Sequence, residues 1–161
     1  MITDAFLQLE PAQVLVRAAA TYVSTNTIDL SVNRDLGAGL DTKIIWNIEV
    51  TYTGGTSIQF QQILSAAANL SSPVVIDQGV TVPLASLLIG GLVVRPIPQL
   101  LGGPAGLTAP LAGVAGIGSV GLRYYGSQSV GLGTMAAGQH STRLVVDVID
   151  VKHYPAGWTI L

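Results

Sequence analysis

The chain of 161 residues contains no cysteine, which excludes disulfides, thiolate metal sites and cysteine nucleophiles. Charge is nearly as scarce. Only 10% of residues are charged, against the usual quarter, and 7 basic and 9 acidic side chains leave a net charge of −2. A chain this neutral lacks the basic footprint of a nucleic-acid binder. With 49% apolar residues and little charge repulsion, it is expected to hide apolar surface against a partner. The opening "MITDAFLQLEPAQ" carries Asp4 and Glu10 and has neither the basic start nor the apolar run of a secretory signal. The uncharged span between Arg95 and Arg123 is long enough to cross a membrane, but its prolines and glycines make a poor helix, so no membrane partner is expected. A long amphipathic helical period is also missing.

What is present is period two. In "KIIWNIEVTYT", Ile44, Trp46, Ile48, Val50 and Tyr52 share one face against Lys43, Asn47, Glu49 and Thr51, with Ile45 as the exception. That is a half-buried antiparallel strand. The alternation resumes in "SIQFQQIL" after Gly54-Gly55, which predicts a β-hairpin with a glycine turn. "NTIDLSV", "PVVID", "GLVVRPI" and "GLRYYG" are shorter strand candidates bounded by breakers, and "PLASLLIGG" suits one helical turn after Pro83, ended by Gly90. "STRLVVDVIDVKHY" is apolar on both faces and reads as a central strand. Residues 12–23 mix helix-favouring alanines with β-branched residues and are taken as part of an extended arm. Many short strands without long helices point to an all-β, antiparallel sandwich or barrel. We expect one domain over 1–161: an N-terminal arm over 1–23, sandwich strands over 24–98 and 120–152, a Gly/Ala/Pro-rich loop over 99–119 and a tail over 153–161.

No catalytic constellation is visible. "GIGSVG" at 116–121 spells the dinucleotide pattern G-x-G-x-x-G, but it leaves a Gly/Ala loop, enters no helix and has no acidic residue about 20 positions on. No nucleotide or other cofactor is therefore expected. His140 and Ser141 are adjacent, so on a strand they point to opposite faces, and no G-x-S-x-G elbow exists. Asp147 and His153 share strand parity but would lie roughly 20 Å apart, too far for one metal. Asp147, among valines, is expected to pair with an arginine or a backbone donor. Tyr124, Tyr125, Tyr154 and Trp158 are candidates for a sugar-binding face, yet Tyr124 and Tyr125 alternate and cannot form one platform. Packing is their expected role.

Apolar residues outside any strand pattern mark candidate contact elements. These are Ile2, Phe6 and Leu7 (with Leu9) at the start, Trp158 and Ile160 (with Leu161) at the end, and Leu107, Leu111, Val114 and Ile117 among the glycines of 99–119. A structureless loop of that length inside a compact domain is expected to serve as a contact element.

A succession of short motifs then carries a resemblance. "STNTIDLSVNRDLGAG", the "KIIWNIEVTYT" strand, "ANLSSP", "VPLASLLIGGLVVRPIP", "LRYYG" and "LVVDVIDVK" occur in that order over most of residues 24–152. Together they resemble the jelly-roll capsid cement, or decoration, proteins of tailed bacteriophages. The resemblance implies a jelly-roll sandwich on the outer surface of the virion's head, clamping adjacent major capsid protein subunits, with copies of itself as dimer or trimer partners. It implies no enzyme activity, metal or cofactor. A carbohydrate-binding sandwich and another phage structural role, such as a head or tail spike component, are the alternatives.

Overall fold

The computed structural model of the full chain describes residues 8–14, 21–29, 42–97 and 122–146. Among the described residues, ten strands build two antiparallel sheets. The first sheet has the order β1 (Gln8–Val14), β10 (Ala137–Val146), β4 (Thr42–Thr53), β8 (Leu92–Pro96). The second has the order β2 (Thr21–Val23), β9 (Tyr124–Leu132), β5 (Ser57–Ser65), β6 (Val74–Asp77); β3 (Ile28–Asp29) also pairs with β9, and β7 (Thr81–Pro83) with β5. Along the eight strands on these paths, every connection except β5 to β6 crosses from one sheet to the other. That interleaving is the double Greek key of a jelly roll.

Alternation decides which residues meet. From β4, Ile44, Trp46, Ile48 and Tyr52 point inward and join Ile58, Phe60 and Leu64 of β5 in one core. The Trp46 and Phe60 rings lie 5.4 Å apart, tilted. Each large apolar side chain buried this way contributes about 1.5–3 kcal/mol. Ile45, the exception in the pattern, faces the other way and is buried in a separate small cluster with Leu92 and Val145. The C-terminal part of β10 is therefore apolar on both faces, with Leu144 in the main core and Val145 in the second cluster, as expected of a central strand.

Two expectations are corrected. β4 and β5 are not a hairpin: they belong to different sheets, and the residues between them turn the corner from one sheet to the other. The corner packs against the equivalent crossing from β9 to β10, through Thr56 N–H to the Leu132 carbonyl (2.7 Å) and Ala136 N–H to the Thr53 carbonyl (2.8 Å). Gly54, at φ +95°, has no room for a Cβ, which would stand 2.5 Å from the Ala136 nitrogen. Glycine is needed there, but for a corner. The second correction concerns the arm over 1–23, whose described parts are sandwich strands. β1 pairs with β10 and β2 with β9. Leu9, read as a contact residue, is buried in the core. Two register irregularities around Glu10 and a proline at position 11 disguise β1, as is usual for an edge strand.

The remaining strand readings hold in place: β3, β6 and β8 fall in "NTIDLSV", "PVVID" and "GLVVRPI". "GLRYYG" opens β9, which runs on to Leu132. The turn after Pro83 is a single 3₁₀ turn, Leu84–Ser86, closed by Leu87 N–H to the Leu84 carbonyl at 2.9 Å.

Candidate interaction surfaces

Among the described residues, two networks of polar side chains lie between the sheets. In the first, His140 of β10 is fully buried, with Nδ1 2.6 Å from the Tyr52 hydroxyl and Nε2 3.2 Å from Ser129 Oγ. Glu10 Oε2 of β1 stands 3.5 Å from the same Nε2 and accepts a 3.4 Å hydrogen bond from Thr142 Oγ1. Burial, and then the nearby Glu10 charge, push the Tyr52 hydroxyl well above its ordinary range, so it stays protonated. Serine, histidine and an acid do meet here, but Ser129 and Glu10 crowd one imidazole nitrogen while a tyrosine holds the other. In a triad the acid and the nucleophile sit on opposite nitrogens. The pairing also involves Ser129 rather than Ser141, and every member is sealed from solvent.

In the second network, Arg95 of β8 donates to both oxygens of Asp77 of β6, at 3.0 and 2.8 Å, joining the edge strands of the two sheets. Gln62 donates to Asp77 and to the Pro96 carbonyl, both at 2.9 Å, and accepts from the Tyr125 hydroxyl at 2.8 Å. Burial pushes the Asp77 carboxyl up. Hydrogen bonds from Arg95, the Gly79 N–H and Gln62, with the Arg95 charge, outweigh burial and hold it below the usual carboxylate range. Tyr125, one of the proposed sugar platform residues, is thus a core residue. Tyr124 faces the opposite way, with the Arg123 guanidinium 5.2 Å from its ring centre. Among the described residues no group of three or more His, Asp or Glu is placed to hold a metal.

Ligand-binding potential is better sought at the two ends of the sandwich. One end is formed by the corners 53–57 and 132–137 and by residues 83–91. Backbone hydrogen bonds knit these segments together: Leu84 N–H to the Thr56 carbonyl, Tyr52 N–H to the Leu87 carbonyl and Gly90 N–H to the Ile48 carbonyl. Residues 50–57, 79–91 and 130–139 contain no Asp, Glu, Lys or Arg. Val50, Leu88 (55% exposed), Ile89 (68%) and Leu132 are exposed on this end, called the neutral end for its described residues; the segment 15–20, whose flanks also lie here, carries Arg17.

The opposite end carries the ion pairs. Asp77–Arg95 lies toward it, and Arg123 grips Asp29 with Nε 2.7 Å from Oδ1. Here the strand register places Gln8 beside Arg143, Val146 beside Thr42, and Asp29 beside Tyr124. Ile97 N–H reaches the Thr42 carbonyl. These residues flank 1–7, 30–41, 98–121 and 147–161. The topology therefore makes all four segments enter or leave the sandwich at this one end. Ile2, Phe6, Leu7, Leu107, Leu111, Val114, Ile117, Trp158 and Ile160 belong to three of them and lie outside the described residues, as do the "GIGSVG" glycines, Asp147, His153 and Tyr154. Sequence reasoning missed the neutral end. Its signal in the sequence is the uncharged run "VPLASLLIGG", in which Leu87, Leu88 and Ile89 stand together before a glycine pair.

Residues 11–144 match the sequence model of the Bbp16 family, so the chain belongs to that family; the match begins inside β1 and ends inside β10, spanning the sandwich. No curated protein matches the chain.

Proposed function

We propose that this member of the Bbp16 family is a capsid cement, or decoration, protein. In this reading it binds the outer surface of an assembled phage head and stabilises the seams between major capsid protein subunits. The observation that carries the reading is the convergence of four segments on one end of a jelly roll. Three of those segments hold the apolar residues that the sequence offers as contacts, and the motif resemblance to cement proteins points the same way. Several segments anchored at one rigid end can grip several subunits at once. A protein that binds the assembled shell and not its free subunits stabilises the shell by linkage. Many copies add their contributions even when each contact is modest. The carbohydrate-binding alternative is weakened because Tyr125 is sealed in the core.

The test uses heads assembled without this chain. Wild-type protein added back should co-sediment with them and raise their resistance to heat. Leu111→Asp combined with Ile117→Asp should weaken binding tenfold or more, since each buries a charge where an apolar contact is required. Leu88→Asp, at the neutral end, should bind like wild type. Equal binding by both variants would remove the assignment of the contact end, and failure of the wild-type protein to bind heads would remove the reading altogether.

A further inference from the structure

Residues 66–73, "AAANLSSP", join β5 to β6 along an unusual backbone path. Leu70 and Ser72 both take left-handed angles, at φ +54° and +50°. Residues with side chains seldom keep that conformation unless their surroundings hold it, and positions so held cluster at functional sites. Here the holding groups can be named. Ser65 Oγ, fully buried at the end of β5, accepts from Ala67 N–H at 3.1 Å and donates to the Ser71 carbonyl at 2.8 Å. One hydroxyl thus ties both arms of the loop. Leu70 N–H reaches the Ala67 carbonyl at 3.0 Å, and Ser71 N–H reaches Asn69 Oδ1 at 3.1 Å. The Leu70 side chain, 2% exposed, lies over Gly126 of β9, where a Cβ would stand 2.5 Å from its Cδ1. The glycine leaves room for the leucine, and the leucine holds the loop down.

Register fixes where the loop sits. Ser65 pairs with Tyr124, which also pairs with Asp29, so the loop lies at the end where the four segments converge. Ala66, Ala68, Asn69, Ser71 and Ser72 form an exposed crest with no charge and no side chain longer than asparagine. We propose that the 66–73 loop is a preorganised contact element, a fixed crest that seats against an uncharged polar patch of a major capsid subunit. The inference rests on the cement reading and adds to it a contact whose shape is set before binding. A loop already held in its bound form loses little conformational freedom on docking. Small crest side chains let a partner come up to the loop's backbone, where peptide groups, serine hydroxyls and the Asn69 amide can exchange hydrogen bonds. A charged side chain there would be stripped of water without a partner.

The test compares binding to heads assembled without this chain, with the thermal midpoint of each free protein as a check on folding. Ala68→Arg should leave the midpoint within about 2 °C of wild type, as for a surface change, and weaken binding about tenfold or more. Leu70→Ala keeps every crest side chain but frees the loop; it should weaken binding about threefold or more, measured well below its own midpoint. Val80→Arg puts the same charge on an exposed residue of the neutral end and should bind like wild type. Wild-type binding by Ala68→Arg would overturn the proposal, and the cement reading would survive it if Leu111→Asp with Ile117→Asp still weakens binding. Failure of the wild-type protein to bind heads would remove both. The free protein gives a readout that needs no heads. Amide exchange at Ala67, Leu70 and Ser71 should be slowed about tenfold or more against the unfolded chain. Exchange at the unfolded rate would show that the crest is not preformed and overturn the proposal.

Discussion

The two ends of this sandwich are held together by different physics. At the neutral end the chain turns from sheet to sheet through tight corners, and backbone hydrogen bonds with close glycine contacts do the holding. At the other end, where the long connections leave, side-chain ion pairs add to the backbone: Asp77 to Arg95 bridges the two sheets, and Asp29 to Arg123 reinforces the pairing of β3 with β9. Tight corners specify the fold by shape and tolerate no added atoms. Ion pairs allow more variation, because water competes for each partner.

That contrast can be tested from its strongest point downward. Gly138 sits at φ +144°, and a Cβ there would stand 1.9 Å from the Tyr52 ring. Gly138→Val should therefore cost about 4 kcal/mol or more, read by denaturant unfolding, because both the backbone angle and the ring would have to give. A loss under about 1 kcal/mol would show that the corner is not shape-limited. Asp77→Asn, at the other end, should cost about 1 kcal/mol after solvent screening of a partly exposed pair. It should also alter the acid limb. Because the folded Asp77 carboxyl is held below its usual range, its contribution is complete above the unfolded value of about 3.9 and is lost as pH falls below that. The variant should lack that component. Arg123→Ala should have the smallest effect, a shift in midpoint too small to separate from repeat scatter in high salt, since its guanidinium is solvent-facing.

Much of the sandwich was legible because alternation and breakers are local signals. Ile44, Trp46 and Ile48 declared the inner face of β4, and even Ile45, which broke the pattern, marked a second buried cluster. The sheet to which a strand belongs is not a local property. The runs on either side of Gly54-Gly55 look the same whether they pair or part, and the jelly roll separates them. β1 escaped notice because its register irregularities put neighbouring Leu9 and Glu10 both in the interior, which erases the alternation. The buried polar networks were illegible for another reason. Glu10 and Thr142 are 132 residues apart, and no spacing rule reaches that far. The expected contact residues of 99–119 and of the chain's two ends stand out only by lacking a strand pattern. What topology adds is their common point of attachment.

The pairing of β1 with β10 has a mechanical consequence. The two strands are antiparallel neighbours, and Gln8 and Val146 lie toward the same end. Tension applied between them would load the hydrogen bonds of that ladder one after another and peel β1 away like a zipper. The same pull spread over the four segments at that end would enter several strands together and load their ladders in parallel. Force spectroscopy on the chain held by its two termini should accordingly register a low first rupture, and a high one would mean that something other than the β1–β10 ladder bears the load.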